Sequence, residues 1–335
     1  MTRRSLLAAP ALFNACARDP RPRLNVFNWS AYIAPDTVPS FEREFGCRVR
    51  YGIYESNEEM LARVMSGNSG WDVVFPTDYL IQPMRANSLL ALLRHDLLPG
   101  IANVDPAFVT GLDWSVPYMQ TAAGIAYNRK LNPPPAAWSD LWSPRLRGRI
   151  TMLDDPFDVM GACLKKLGLS INATAEPQLK AAQREAVAQK SLLRAYLNAE
   201  VRDQLVSGDV LAAQMWNTTA QQAMDASPEI GFVFPREGYA EYPDCMVVLR
   251  ESKHPELAHA FLNYMLRPEV AARNALAART TTTNAAARAL LPEAFRNNPA
   301  LYPPPEILAR GERALTVSPQ TQRLRDRLWT EIKSA

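Results

Sequence analysis

Four stretches of this chain place rings and carboxylates where an apolar run gives way to a helix pattern. They are Asn28-Trp29-Ser30-Ala31-Tyr32, Pro76-Thr77-Asp78-Tyr79, Asp154-Asp155-Pro156-Phe157-Asp158 and Met215-Trp216-Asn217-Thr218. In an open α/β sheet, ligands sit just beyond the carboxyl ends of strands, so such positions can converge on one cleft. An ammonium entering a closed cleft loses solvation, which carboxylates must replace. Ring faces attract cations and cover the methylenes between them. The chemistry these residues suit is therefore capture of an organic amine. Asp155 and Asp158 can take charged nitrogens, with Trp29, Tyr32, Tyr79 and Trp216 as the rings. Each has an ordinary structural reading when taken alone. Asp155 and Asp158 suit a helix N-terminus, Thr77 a cap, and Trp29 and Trp216 a core.

The elements that carry these residues are readable from periodicity. Leu24–Phe27 reads as a first strand, and Pro35–Phe45 as a helix with Val38, Phe41 and Phe45 on one stripe and Gly46 at its stop. Cys47–Ile53 alternates as a strand, Ser56 with Glu59 reads as a capping box, and Asp72–Phe75 is a short buried strand. A β-α-β-α-β start implies parallel pairing with right-handed crossovers. Thr121–Tyr127 and Cys245–Leu249 read as strands connecting two lobes. Arg149–Leu153 leads into the acidic stretch, and Val159–Leu167 continues as helix. Val210–Met215 and Ile230–Phe234 read as further strands. Pro255–Leu266 is a helix restarted by Pro268, the Ala-rich part beyond it is broken at Thr280–Thr283, and Gln320–Lys333 is a last amphipathic helix.

A length of 335 residues accommodates two lobes, and the composition is that of an ordinary globular protein. The formal charge is only +3 and no basic stripe is present, which argues against nucleic acid as a partner. Arg3 and Arg4 before the apolar stretch Leu6–Ala15 read as an export signal, the paired arginines resembling a twin-arginine leader. Cys16 after a small residue resembles a lipoprotein cleavage site, where the cysteine would carry the lipid. Removing residues 1–15 takes away Arg3 and Arg4 and brings the formal charge from +3 to +1. The remaining Cys47, Cys163 and Cys245 lack zinc-site spacing, Cys163 reads as core, and three scattered histidines argue against a His-based metal centre.

Several phrases together carry a resemblance: Leu24 to Tyr32, Tyr54-Glu55-Ser56-Asn57-Glu58, Trp71-Asp72-Val73-Val74, Trp138-Ser139-Asp140-Leu141-Trp142 and Met215-Trp216-Asn217. They resemble the bacterial spermidine/putrescine-binding proteins, the solute-binding components of polyamine ABC importers, from about Leu24 to the last helix. The resemblance implies an α/β, two-lobed periplasmic-binding-protein fold (type II-like) with a ligand cleft between lobes joined by crossing strands. On that basis residues 1–19 are signal and linker, 20–120 plus 246–298 the first lobe, and 121–245 plus 299–335 the second. It implies a ligand set of Trp29, Tyr32, Thr77, Tyr79, Asp155, Asp158, Trp216, Tyr242, Asp244 and Thr280. Departures from the family pattern fall within that set and at one position beyond it. Thr77 stands where Ser is frequent, Asp158 replaces a Glu, Tyr242 a Trp and Thr280 a Tyr, while Ala314 aligns with a Gln. Loss of a tyrosine at Thr280 is expected to widen the pocket. Trp138 and Trp142 read as packing.

The expected activity is thus extracytoplasmic capture of a putrescine- or spermidine-like cation by hinge closure and delivery to an ABC permease, by a monomer without a cofactor. Two alternatives remain at this level. One is the same scaffold holding a different organic cation or other small solute. The other is a hydrolase using paired carboxylates such as Asp155 and Asp244. The chain shows no serine-nucleophile elbow, P-loop or metal-binding helix motif. It also lacks the clustered tyrosines and histidines expected of an iron binder.

Overall fold

The computed structural model describes residues 19–109 and 111–335. Cys16 and the export signal lie outside the described residues. Eleven strands are present among them: β1 Arg23–Trp29, β2 Arg48–Tyr54, β3 Val73–Val74, β4 Val116–Asn128, β5 Ile150–Met152, β6 Leu193–Tyr196, β7 Ala212–Trp216, β8 Ile230–Val233, β9 Tyr239–Val248, β10 Thr281–Thr282 and β11 Gly311–Arg313. Their order is β2-β1-β3-β9-β4-β7-β5-β6, with β8 and β10 on β4 and β11 on β9.

Two parallel blocks flank an antiparallel seam. β1 pairs in parallel with β2 and β3, and β5 pairs in parallel with β6 and β7, as the β-α-β alternation requires. The long β4 and β9 run antiparallel to each other and link the blocks. β3 joins β9 at Val247 and Val248, and β7 joins the far half of β4 at Ala123–Tyr127. The two connecting strands expected from sequence are thus present, and both extend further than their apolar runs.

Each block is covered on both faces by apolar side chains. In the first lobe one face holds Leu24, Val26, Phe41, Phe75, Met246 and Phe261, and the other Phe27, Tyr54, Met60, Trp71 and Val247. In the second lobe Ile125, Trp138, Ile150, Met160, Leu179 and Leu328 form one core, and Leu205, Ala213, Met215 and Ile230 the other. Trp138 is 1 % exposed, with its indole N–H on the carbonyl of Gly238 at 2.8 Å, which makes it a packing residue. Cys47, Cys163 and Cys245 are buried free thiols.

Local signals explain the helix ends. Gly46 closes the helix Thr37–Phe45 at φ 59°, a left-handed conformation that glycine adopts without a Cβ clash. Ser56 caps the helix Asn57–Met65 by accepting from the Glu59 amide at 3.1 Å, while the Glu59 carboxylate reaches the amide of Glu55 rather than that of Ser56. The break at Thr280–Thr283 contains β10, which pairs with Met119 and Gln120 of β4 after the helix Pro268–Ala278 ends on left-handed Arg279.

Candidate functional site

The first lobe supplies one wall from two turns. β1 ends at Trp29, and Ala31 turns the chain at φ 50°, unusual for a residue with a Cβ, to bring Tyr32 inward. The Trp29 indole N–H donates to the carbonyl of Phe75 at 2.8 Å, which fixes its ring against β3. After β3, Thr77 and Tyr79 are held by one side chain: Asn57 donates through Nδ2 to Thr77 Oγ1 (3.1 Å) and to the Tyr79 hydroxyl (3.0 Å).

The second lobe supplies the opposite wall. Asp155 is the N-cap of the helix Pro156–Lys166, its Oδ1 accepting from the amides of Phe157 (2.8 Å) and Asp158 (3.0 Å). One turn on, Asp158 is buried and accepts from the Tyr242 hydroxyl (2.6 Å) and the Trp216 indole N–H (2.9 Å). Trp216 is the last residue of β7. Two residues beyond Tyr242 on β9, Asp244 accepts from the Tyr32 hydroxyl and from Thr77 Oγ1, both at 2.8 Å. Side chains two apart on a strand share a face, so Tyr242 and Asp244 point into the same cleft.

That cleft has a cavity volume of about 110 Å³ and opens to solvent at its mouth. Its carboxylates are held by neutral donors, and among the described residues none of Asp155, Asp158 and Asp244 has a Lys or Arg hydrogen-bond partner. Burial pushes the Asp244 carboxyl up to about 7, against the opposing effect of its Tyr32 and Thr77 hydrogen bonds. Burial also raises Asp155, helped by the neighbouring Asp158, and raises Asp158 against its Tyr242 and Trp216 donors. Tyr32, Tyr79 and Tyr242 are raised well above the ordinary phenol range by burial, so they stay neutral. The result is a set of anionic acceptors, sunk between rings, whose ionised forms gain from a cation.

Of the residues the resemblance implied, all but Thr280 line this cleft. Thr280 is fully buried one layer behind: it accepts from the Thr218 hydroxyl at 2.8 Å and donates to the carbonyl of Gln120 at 3.1 Å. Its small size therefore does not open the pocket, because Thr218 occupies the lining in front of it. Ala314 is likewise buried, beside Phe157 and Tyr242. The lining also includes Glu55, Asn57, Thr121, Asn198, Thr219 and Gln222, none of which the sequence singled out for the site. Asn57 gave a signal only as the residue after a helix cap and as part of a phrase that carries the family resemblance. Asn198 follows β6, a strand without a readable apolar pattern.

A family model described as bacterial extracellular solute-binding protein matches residues 37–303. The putrescine/cadaverine-binding protein of Pseudomonas aeruginosa is 32 % identical, with 99 % of each chain covered. The spermidine/putrescine-binding periplasmic protein of Escherichia coli is 32 % identical, with 92 % of each covered. Among solved structures, a putative spermidine/putrescine ABC transporter from Listeria monocytogenes superposes with a TM-score of 0.89 at 30 % identity, covering 93 % of this chain and 98 % of that one.

Proposed function

This chain belongs to the bacterial extracellular solute-binding protein family, and we propose that it captures a polyamine between its lobes and delivers it to an ABC permease. The observation that carries this reading is the convergence of Asp155, Asp158 and Asp244 on one aromatic cleft with neutral hydrogen-bond donors. Asp244, with Tyr32 and Thr77 behind it, takes one ammonium, and Asp155 with Asp158 takes a second. The two anchors on β9 are Tyr242, which holds Asp158, and Asp244. They stand about two strand rises apart along β9, ~7 Å between Cα atoms, on the same face of the strand. Trp29, Tyr79, Trp216 and Tyr242 enclose the methylenes. The names of the relatives, which include putrescine, cadaverine and spermidine, support this ligand class.

Capture proceeds by closure about β4 and β9, the strands common to both lobes. The carboxylates act as counter-ions and the protein turns nothing over. The cleft is complete within one chain, so a monomer suffices. We place the protein outside the cytoplasm, consistent with its family, and assign Cys16 as the residue that would carry a lipid anchor.

A thermal-shift panel on ligand-free mature protein tests the reading with putrescine, cadaverine, spermidine, spermine, agmatine, amino acids and neutral sugars. A ligand at about 100 times its dissociation constant adds roughly 2.7 kcal/mol to stability, a readily visible shift. Stabilisation by one or more polyamines and not by sugars is expected. A shift confined to a non-amine solute would remove the ligand class while leaving the scaffold intact.

A further inference from the structure

Behind the aromatic wall of the cleft lies a charge that amine capture does not call for. Arg325, on the C-terminal helix Pro319–Ser334, is 2 % exposed. Its Nη2 donates to the carbonyls of Ile171 (2.9 Å) and Ala173 (3.1 Å), and its Nε is buried without a partner. Among the described residues no carboxylate pairs with it. A guanidinium buried without an acid is an unfavourable arrangement that an apolar side chain of similar volume would avoid. What the guanidinium does contact is a ring: its carbon stands 4.7 Å from the centroid of Phe157.

Phe157 connects that charge to the cleft. Tyr79 lies nearly parallel to it, with centroids 5.5 Å apart and planes 13° apart, and Tyr242 meets it edge-on at 6.0 Å and 76°. Phe157 belongs to the second lobe, in the same helical turn as Asp158 and two residues after Asp155, whereas Tyr79 belongs to the first. The pair therefore bridges the lobes beside the ligand space. The same C-terminal segment also ties the Tyr79 turn directly. Arg313 Nε donates to Asp78 Oδ2 at 2.8 Å, and the Thr316 hydroxyl donates to the carbonyl of Tyr79 at 2.6 Å. Both rings are thus held from outside the cleft by one stretch of chain. A planar cation is suited to this task because it stacks on a ring face, which a flexible apolar chain does not constrain.

We propose that Arg325 is a positioning residue of the amine cleft: packed on Phe157, it fixes the ring on which Tyr79 of the other lobe stacks, and so slows the escape of bound amine without touching it. The inference rests on the polyamine reading above. With Tyr79 and Phe157 stacked between the lobes, the guanidinium acts on the dissociation step, because that contact must separate before the lobes part. The encounter of amine with the open cleft does not require that contact.

Stopped-flow tryptophan fluorescence with putrescine and spermidine tests this on wild type, Arg325→Met, Phe157→Leu and the double variant. For Arg325→Met the expected result is a dissociation rate about tenfold higher and an association rate within about threefold, since affinity changes within one site appear mainly in dissociation. The Phe157→Leu variant should lose a similar factor. In its background Arg325→Met should add nothing further, because the ring that transmits the effect is gone. A merely structural arginine would lower the melting temperature and leave the dissociation rate within twofold, which would overturn the proposal. So would a full Arg325→Met effect persisting in the Phe157→Leu background. If Arg325→Met does not fold, Phe157→Leu alone decides: faster dissociation supports the proposal and an unchanged rate overturns it. Wild type binding neither amine would remove the polyamine reading and this inference together. Wild-type binding with unaffected variants would remove this inference alone.

Discussion

Replacing Asp244 by Asn should move stability and binding in opposite directions. Asp244 is 4 % exposed, and burial raises its carboxyl from 3.8 to about 7. The sign follows from proton counting. Between those values the folded protein holds a proton that the unfolded chain has lost, so stability falls as pH rises through the window. Above about pH 7 the folded state carries the full penalty of the ionised group, at most roughly 4 kcal/mol at about 1.4 kcal/mol per tenfold in proton affinity. Asn fills the same volume without that titration. It keeps an acceptor for one of the two hydroxyls now donating to Asp244, Tyr32 and Thr77, and loses one hydrogen bond of about 1 kcal/mol. Ligand-free Asp244→Asn should therefore exceed wild type by about 3 kcal/mol at about pH 8, with the gap closing as pH falls, crossing zero at about pH 4.5 and reversing by up to about 1 kcal/mol below that. Amine affinity should drop by about 30-fold or more, since removing one member of a desolvated charge pair costs about 2–5 kcal/mol. Urea denaturation across pH and calorimetric titration measure the two effects. A gap that does not change with pH would refute the electrostatic account of Asp244, and an affinity within a few-fold of wild type would take the residue out of the site.

Asp155 has two roles that substitutions separate. Asp155→Asn retains an oxygen for the cap bonds to Phe157 and Asp158 and removes a buried charge, so amine affinity should fall while the melting temperature of the ligand-free protein rises near neutral pH, as for Asp244→Asn; Asp155→Ala should cost about 1 kcal/mol more in denaturation than the Asn variant. Trp216→Phe keeps a ring and deletes the indole donor to Asp158, which raises that carboxyl further. Affinity should fall about tenfold, and the pH at which binding weakens should shift upward in a titration series. Ala31→Gly relieves a left-handed residue and should stabilise the protein by up to about 1 kcal/mol in denaturant, with amine affinity unchanged. A destabilised glycine variant would show that Ala31 is unstrained.

The cleft was legible in sequence where its residues sit at element ends with a distinctive chemistry. Trp29, Asp155, Asp158 and Trp216 stand at the close of apolar runs, and β1, β5 and β7 deliver them to one place. Tyr242 and Asp244 were readable only through the family resemblance, because alternation along a strand does not say which face meets a ligand. Thr280 shows the limit of transfer by position: the alignment placed it in the cleft, while packing puts Thr218 in front of it. Asn57 was missed because its part is to hold Thr77 and Tyr79, a contact between residues 20 and 22 positions apart. The helix Glu176–Lys190 went unread for a different reason. Its buried face is built from Leu179, Ala182, Ala186 and Gln189, and alanine gives little periodic contrast. Arg325 lies in a helix read as amphipathic, and nothing in the pattern distinguishes a buried arginine from the exposed Arg323 and Arg327 beside it.

The arrangement of donors around the carboxylates explains how such a cleft discriminates among solutes. Asp158 and Asp244 each receive two neutral hydrogen bonds, enough to hold the oxygens in place and too few to bring either carboxyl back to its ordinary value. Near neutral pH the empty site therefore lies between protonated and ionised. A sugar can form hydrogen bonds with either form but supplies no charge. An ammonium favours the ionised form and lowers the carboxyl's proton affinity in the process. Proton and amine thus compete for the same oxygens, and amine affinity should rise with pH through the range in which the empty carboxyls titrate, then level off once they are ionised without ligand. Arg or Lys partners for these acids would remove both effects, because the carboxylates would be ionised and neutralised before any ligand arrived. Withholding those partners lowers the stability of the empty protein at neutral pH, and that same withheld charge is what makes a cation the favoured occupant.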